Sequence, residues 1–316
     1  MAGQIWQTLE DDNYKVSPNL TRVLRNKLQP KTRFINHCDP QDFSDMKLHA
    51  GSTFYWDVYG DVDTQGGSIS EHERIPETQY SVTQNSGTIT EYGNSVPFTY
   101  KFDNLSFGPA KQIIHKQLKN DCVKAFEAAA YAKFAQTPLT VTPANGDSAT
   151  AILLETTGTP TYQNDIAMNN THVKLIADEM KERNIPVWDD DNYRCLARTK
   201  TFRAFKDDLE GITAYVPEGF RSILNGEVGR HYEGVRFFEH TSVANKAWAS
   251  GTSDEAFFFG EDTVGEAIMI PPEIRGRIPN DYGRDRGIAW YAMEGFALIH
   301  SVATDARIVR WANGST

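Results

Sequence analysis

The chain has 316 residues, which is long enough for two or three subdomains and a sizeable buried core. Its net charge of −10 and its isoelectric point near 5.3 exclude a protein that binds nucleic acid over most of its surface. A mean hydropathy of −0.50 favours a large surface for the mass of the chain and many polar contacts with partners.

A short amphipathic helix is predicted near the N-terminus. Ser17 and Pro18 suit its N-cap and first turn, and Pro30 ends it. Its apolar stripe consists of Leu20, Val23, Leu24 and Leu28. Its basic face carries Arg22, Arg25 and Lys27. This face is either an ordinary solvated surface or part of an arm that docks on an acidic neighbour or on nucleic acid.

A long, polar β-ribbon is predicted at residues 51–100. Apolar and polar side chains alternate over Thr53–Val62, and a second arm covers Tyr80–Tyr92 after a turn-rich segment. Gly87 and Gly93 in the second arm suggest bulges or bends. Because a two-stranded hairpin is marginally stable alone, the ribbon must lie on another part of the chain or on another copy. This favours an assembling protein over a self-contained enzyme.

One long helix is predicted over Phe107–Gln136. Pro109 suits its first turn, and Pro138 prevents its continuation. At about 1.5 Å per residue the helix would be roughly 45 Å long. A strict four-residue spacing relates its apolar residues, which are Ile114, Leu118, Cys122, Phe126, Ala130 and Phe134. Because a stripe at this spacing winds around the helix, it favours packing against a twisted sheet over a coiled coil.

The rest of the chain is predicted to alternate short helices and strands. Residues 139–171 read as loop and short strand, since they are rich in Thr, Gly and Pro. Two further helices are predicted at His172–Arg183 and Thr199–Leu209. Six strands are predicted, at Ile212–Val216, Gly234–Glu239, Ala267–Ile270, Ile288–Met293, Phe296–Val302 and Arg307–Trp311. The order is therefore ribbon, long helix, an α/β insertion and closing strands.

No catalytic, metal or cofactor site is predicted. The eight histidines form no metal-spaced pair, and the three cysteines, Cys38, Cys122 and Cys195, are far apart. The sequence contains no Gly-x-Ser-x-Gly, no phosphate-binding glycine loop and no dinucleotide-binding fingerprint. Cys38 lies beside His37, but adjacent residues in an extended chain point apart. We therefore interpret Cys38 as a small buried apolar residue instead of a nucleophile.

Two charged segments have two interpretations each. Asp189-Asp190-Asp191 could ligate calcium, but no calcium-loop spacing or glycine turn follows it, so a polar turn between a helix and a strand is preferred. The segment Glu273–Arg286 carries both charge signs, and the prolines Pro271, Pro272 and Pro279 precede or interrupt it, which favours a long loop. Such a loop is either a solvated surface with weak ion pairs or an intersubunit contact in which charge complementarity sets the register.

The sparse and odd number of cysteines indicates no disulfide framework and suits a reducing compartment. The first residues show no basic region followed by an apolar run, so we expect no signal peptide. No stretch approaches the roughly 20 apolar residues of a membrane span. We therefore expect a soluble protein that is made in the cytoplasm and has no membrane partner.

Several segments carry a family resemblance through their sequence and their order. On the ribbon they are Gly51-Ser52-Thr53-Phe54 and Ile75-Pro76-Glu77-Thr78, with Glu91–Phe98 following before the long helix. The most specific is Ile223–Arg230, which contains Gly-Glu-Val-Gly-Arg and runs into Gly234–Thr241, and Arg286–Trp290 is the closing segment. From residue 51 onwards the chain resembles the major capsid proteins of tailed bacteriophages, particularly those of phages with N4-like virions.

The resemblance implies an α+β protein with the Hong Kong 97-type fold. Its implied parts are an N-terminal arm at 1–50, an extended β-hairpin called the E-loop at 51–100, a peripheral domain at 101–164 with a spine helix at 107–136, an axial domain at 165–254, and closing strands of both domains at 255–316. The long helical prodomain of some relatives is not recognised, so we expect a separate scaffolding protein. No Lys and Asn pair can be assigned to cross-linking between subunits.

The resemblance also implies a structural, non-enzymatic role as a major capsid protein. Such a protein self-assembles into hexamers and pentamers of an icosahedral head around double-stranded DNA. Its implied partners are other copies of itself, a scaffolding protein, a portal, an optional decoration protein, and DNA on the inner face without sequence-specific binding. Its implied location is the virion, after synthesis in the bacterial host cytoplasm.

Three groups of residues are expected to make assembly contacts. The tip of the E-loop contributes Asp61, Gly66, Gly67, Glu71 and Arg74. The charged loop contributes Arg275, Arg277, Asp281, Arg284 and Arg286. The basic face of the N-terminal arm contributes Arg22, Arg25 and Lys27.

Two alternatives remain open. An encapsulin-type nanocompartment shell would keep the fold and enclose an enzyme cargo in place of DNA. A β-rich carbohydrate-binding or hydrolytic protein would be a stable monomer that uses Asp189–Asp191, and Asp190→Ala would abolish its glycan binding or activity.

Overall fold

The computed structural model describes residues 33–43, 51–106, 110–213, 230–243, 255–279 and 281–312. These residues form a mixed α+β protein, as predicted, with thirteen strands and four α-helices among them. The chain divides into two compact units. The first comprises Met1–Ala50, Ile89–Tyr131 and Glu266–Gly295, and the second comprises Gly51–Thr88, Ala132–Gly265 and Phe296–Thr316. Within the described ranges no helix is long and apolar enough to cross a membrane.

The helices and strands have the following bounds. In chain order they are β1 (Asp39–Asp42), β2 (Thr53–Val62), β3 (Tyr80–Thr88), β4 (Thr90–Thr99), α1 (Tyr100–Leu105), α2 (Ala110–Phe134), β5 (Leu139–Pro143), β6 (Ile152–Glu155), α3 (Asn170–Glu182), β7 (Tyr193–Ala197), α4 (Thr199–Thr213), β8 (His231–Tyr232), β9 (Val235–Glu239), β10 (Ala256–Phe259), β11 (Val264–Gly276), β12 (Asp285–Leu298) and β13 (Ile308–Trp311).

The first unit is built on a four-stranded sheet with the order β1-β11-β12-β4. Strands β4 and β12 are antiparallel, and their register runs from Thr99 opposite Asp285 to Thr90 opposite Glu294. Thr99 also caps α1, because its hydroxyl accepts a hydrogen bond from the backbone N–H of Phe102 at 3.2 Å. The chain therefore passes from strand to helix at this residue.

The long helix α2 packs on this sheet through the predicted apolar stripe. Within the first unit the buried members of the stripe are Ile114, Leu118, Cys122, Phe126 and Ala130. The ring of Phe126 lies edge-on to Tyr92 of β4 and Trp290 of β12, with centroids 5.4 and 5.7 Å away. Asp121 secures the contact by accepting hydrogen bonds from the indole N–H of Trp290 at 3.0 Å and the amide of Asn94 at 2.9 Å. The prediction that this helix packs against a sheet is confirmed.

The second unit is built on a seven-stranded mixed sheet with the order β6-β5-β13-β10-β7-β9-β8. Strand β5 is parallel to β13 and β7 is parallel to β9, whereas the other neighbours are antiparallel. The central strand β10 reads Ala-Phe-Phe-Phe and is buried throughout, as expected of a strand covered on both faces. Helices α3 and α4 add Ile176, Met180, Phe202 and Phe205 to the core.

The second arm of the predicted ribbon proves to be two strands. Strands β2 and β3 form a sheet of their own, whereas β4 pairs with β12. The ribbon of the structure therefore ends at Thr88 and does not continue to Tyr100. Gly87 forms no bulge, since it lies in regular register opposite Phe54. Its role is close packing, because a Cβ at Gly87 would lie 2.3 Å from Cζ of Phe54.

The prediction of a long loop at Glu273–Arg286 is wrong at both ends. Strand β11 continues to Gly276, and β12 begins at Asp285. The prolines had suggested a loop, but a strand tolerates proline at a position where the backbone N–H makes no hydrogen bond with the neighbouring strand. Residues 277–284 therefore connect two paired strands. We call β11, this connection and the start of β12 the charged hairpin.

Three further predictions differ from the structure. The two closing strands at Ile288–Met293 and Phe296–Val302 are one continuous strand that ends at Leu298. Ile212 and Thr213 belong to helix α4 and not to a strand. The long helix is Ala110–Phe134 in its described part. The basic face of the N-terminal arm and the segment 223–229 lie outside the described residues.

Candidate assembly surfaces

One face of the ribbon is anchored on its own unit. Phe54 and Trp56 are buried, and their rings meet edge-on with centroids 4.6 Å apart. The Trp56 ring lies on Gly265, where a Cβ would stand 2.0 Å from Cζ2 of the indole. The side chain of Asn85 donates a hydrogen bond to the carbonyl of Ile299 at 2.6 Å. These contacts hold the root of the ribbon.

The opposite face of the ribbon is exposed and carries several apolar side chains. Tyr59 pairs with Val82 and Val62 pairs with Tyr80 across the two strands. Tyr55 lies on the same face towards the root, and Tyr59 is 67% exposed. The rings of Tyr59 and Tyr80 are 6.2 Å apart, so these two residues form one patch with Val62 and Val82, and the polar pair Asp57 and Gln84 separates Tyr55 from it. We call Tyr59, Val62, Tyr80 and Val82 the outer ribbon patch.

The tip of the ribbon makes only local contacts among the described residues. The predicted tip residues Asp61, Gly66, Gly67, Glu71 and Arg74 are all exposed. A Cβ at Gly66 or Gly67 would meet no atom within 4 Å. Arg74 pairs with Glu77 at 3.4 Å, but both side chains are more than four-fifths exposed, so this pair stabilises the fold little.

The ribbon is also strongly acidic. Residues 51–88 contain six acidic side chains and one basic side chain, which gives a net charge of −5 when histidine is neutral. The acids are Asp57, Asp61, Asp63, Glu71, Glu73 and Glu77. An acidic, apolar and exposed ribbon is suited to a partner surface that combines apolar area with positive charge.

The arginines of the charged hairpin all have partners within the chain. Their carboxylate contacts are Arg275 with Glu273 at 2.5 Å, Arg277 with Asp285 at 2.9 Å, Arg284 with Asp281 at 3.5 Å, and Arg286 with Asp103 at 3.5 Å. The apolar side chains Ile278 and Tyr282 at the turn are almost fully exposed. The structure thus brings the predicted charged residues together at one hairpin, and an assembly contact there stays a prediction.

Cys38 and the segment Asp189–Asp191, which were considered above for catalysis and calcium binding, have roles in the packing of the fold. Burial raises the pKa of Cys38 well above its ordinary value, with smaller contributions from nearby carboxylates, so its thiolate is not populated near neutral pH. The Cys38 thiol donates to the carbonyl of Phe34 at 3.4 Å. Trp188 and Asp191 close the predicted polar turn, and Asp190 pairs with Arg236 at 2.9 Å. Within the described ranges no cluster of three potential metal ligands occurs.

A buried carboxyl pair in the first unit was not predicted. Glu266 on β11 and Glu294 on β12 share a hydrogen bond, and they are 8% and 2% exposed. Burial, followed by the charge and hydrogen bond of Glu266, raises the pKa of Glu294 to about 8. Because two buried like charges repel, the pair retains a proton at neutral pH. The one signal in the sequence is a single acid inside each of two apolar runs.

The sequence matches no family model and no curated protein. Solved structures match over nearly the whole chain. The capsid asymmetric unit of cyanophage Pam1 has a TM-score of 0.69 at 14% identity and covers 98% of this chain and 100% of that chain. The capsid of Ralstonia phage GP4 has a TM-score of 0.61 at 12% identity, with 98% and 99% covered. The capsid of a native gene transfer agent particle has a TM-score of 0.60 at 13% identity, with 95% and 96% covered.

The comparisons confirm the kind of fold that the resemblance implied. The N4-like subtype and the boundaries of the arm, peripheral and axial domains stay predictions. The agreement covers 97–98% of this chain and 99–100% of the matched chains, at sequence identities of 10–14%. This chain therefore has the fold of phage capsid proteins.

Proposed function

We propose that this chain is a structural, non-enzymatic major capsid protein that assembles into the hexamers and pentamers of an icosahedral head around double-stranded DNA. The observation that carries the proposal is the fold likeness to phage capsid chains, which spans nearly the full length of both partners. The protein is then a component of the virion.

The outer ribbon patch supports this proposal. Contiguous exposed apolar area on a soluble chain marks an interaction site, and a ribbon that extends from its root can cover a neighbouring subunit. Head-to-tail contacts of this kind close into rings when the rotation between subunits allows it. Each contact can be weak, because many simultaneous contacts around a shell hold each subunit by multivalency.

The charge of the protein supports the remaining partners that we propose. A net charge of −10 suits a wall that encloses DNA without binding it tightly. We further propose a separate scaffolding protein and a portal, with a decoration protein as an optional addition. The charged hairpin would set the register between subunits through its paired charges.

Electron microscopy of the purified chain tests the proposal. The chain is expressed with its neighbouring genes, fractionated by size and imaged by negative stain. We expect closed icosahedral particles or hexamer sheets. DNA inside the particles supports a phage head, whereas an enzyme cargo supports the nanocompartment. A monomer under every condition, including with its own scaffolding protein, would contradict an assembly role.

Shortening the ribbon tests its part in assembly. Deletion of Asp61–Arg74 should leave a folded subunit that does not form shells, because the removed residues make only local contacts. A milder variant, Tyr59→Ser, removes one exposed ring of the outer ribbon patch, and Tyr162→Ser at another exposed position is its matched control. Intact shells from the deletion would contradict the role of the ribbon.

A further inference from the structure

An apolar groove lies in the first unit beside helix α2. Its volume is about 800 Å³, and Leu118, Cys122, Phe126 and Trp290 form its floor. Ile274 of β11 stands at its wall and is 55% exposed. An open groove with an apolar floor is the kind of site that binds apolar side chains of a peptide segment.

The border of this groove is positively charged. Lys111, Lys116 and Lys119 of helix α2 line it, and within the described ranges the one acid of its lining, Glu273, is paired with Arg275 at 2.5 Å. Lys111 pairs with Asp103 at 3.0 Å, whereas none of the ion pairs among the described residues involves Lys116 or Lys119. A segment that fills the groove should therefore place acidic side chains beside these two lysines.

The N-terminal part of the chain enters the described structure at the same helix. The carboxylate of Glu127 on α2 accepts hydrogen bonds from the backbone N–H groups of Arg33 at 3.0 Å, Phe34 at 2.9 Å and Ile35 at 3.4 Å. Glu127 is 2% exposed, so this anchor is buried. Arg33 is thus held on helix α2, and 32 residues precede it in the sequence.

We propose that the segment Gln4–Asp12 of the same chain docks in this groove. Its apolar side chains, Ile5, Trp6 and Leu9, match the apolar floor, and Glu10-Asp11-Asp12 match the lysines at the border. No basic side chain precedes Lys15. The segment that follows carries the basic residues Arg22, Arg25 and Lys27 and would be repelled by the same lysines. The charges therefore favour docking of Gln4–Asp12 over docking of that segment.

The chain between Asp12 and Arg33 is long enough for this contact. From Asp12 to Arg33 there are 21 residues, which can extend to about 70 Å at about 3.3 Å per residue. The helical distance from Glu127 back to Lys116 is only about 16 Å at about 1.5 Å per residue. An intramolecular segment also binds at a high effective concentration, which favours it over a free peptide of equal affinity. The inference concerns the single subunit and does not require the proposed shell to form.

Zero-length cross-linking of the full-length, unassembled chain tests the proposal. A carbodiimide joins carboxylates to nearby amines, and mass spectrometry locates the joined residues. We expect Glu10–Asp12 to couple to Lys116 or Lys119 at least ten times more often than to Lys124, which is exposed on the same helix but does not line the groove. An equal mixture of ¹⁴N- and ¹⁵N-labelled chains separates contacts within one chain from contacts between chains.

Substitution of the groove wall provides the matched comparison. Ile274→Asp should lower the yield of these cross-links at least fivefold, whereas Ile75→Asp, at an isoleucine exposed on the ribbon, should not change it. Both positions are exposed, so neither variant should unfold the protein. Equal coupling to all lysines, or no effect of Ile274→Asp, would overturn the proposal. If about half of these cross-links join differently labelled chains, as random pairing in an equal mixture gives, the groove binds a second copy, which would also overturn the proposal.

Discussion

Replacing Glu294 by glutamine should remove the fall in subunit stability that this carboxyl group causes between about pH 4.5 and pH 8. The glutamine keeps the shape of the side chain, and its amide can donate to Glu266 as the protonated carboxyl does. It cannot ionise. The substitution therefore isolates the cost of charging a carboxyl group that is 2% exposed.

The sign and the size of the effect follow from the pKa of Glu294. Its ordinary value is 4.5, and burial beside Glu266 raises it to about 8 in the folded protein. Between these values the unfolded chain has lost the proton that the folded chain keeps, so stability is fully present below about pH 4.5 and is lost as the pH rises towards 8. At about 1.4 kcal/mol per pH unit, the loss amounts to roughly 5 kcal/mol.

The assay is denaturant unfolding of the unassembled subunit, followed by tryptophan fluorescence at about pH 5.5, 7 and 8.5. For the natural chain the midpoint should fall most clearly from pH 7 upwards, because below about pH 6.5 burial of His300, which lowers its pKa to about 4, gives the opposite trend. For Glu294→Gln it should change much less, and the variant should be the more stable of the two at the highest pH. The control is Glu182→Gln, at an exposed position of α3, which should leave the pH dependence unchanged.

Two results would refute the reasoning. One is a natural chain whose unfolding midpoint does not fall from about pH 7 to 8.5. The other is a Glu294→Gln variant whose midpoint falls as steeply as that of the natural chain. Either result would mean that the carboxyl pair is ionised or solvated in the folded protein.

Two further substitutions test the packing of each unit. Gly87→Ala should destabilise the second unit by about 1–3 kcal/mol, because its Cβ would overlap the ring of Phe54, whereas Gly66→Ala at the open tip should be nearly neutral. Equal melting temperatures for these two variants would contradict the close packing at the root of the ribbon. Phe126→Ala should cost about 3–5 kcal/mol in denaturant unfolding, since it leaves a cavity beside Trp290. A cost below about 1 kcal/mol would show that α2 does not depend on this contact.

The sequence by itself determined those features that arise from local periodicity. Strand β2 covers Thr53–Val62, as alternation predicted, because successive side chains of a strand point to opposite faces. The four-residue stripe of α2 is buried as expected, because residues at this spacing share one face of a helix. The order of the elements, together with short motifs, was also sufficient to indicate the capsid fold.

Only the tertiary structure decided which distant segments meet. Strand β4 leaves the ribbon because its partner is β12, almost 200 residues further along the chain, and no local pattern specifies that pairing. The same pairing of distant segments brings Glu266 and Glu294 together and changes the pKa of both. Folding also brings Arg33 to Glu127, whose carboxylate accepts a hydrogen bond from the backbone N–H of Arg33. Local patterns fix the period of each element, whereas burial and charge depend on neighbours that only folding supplies.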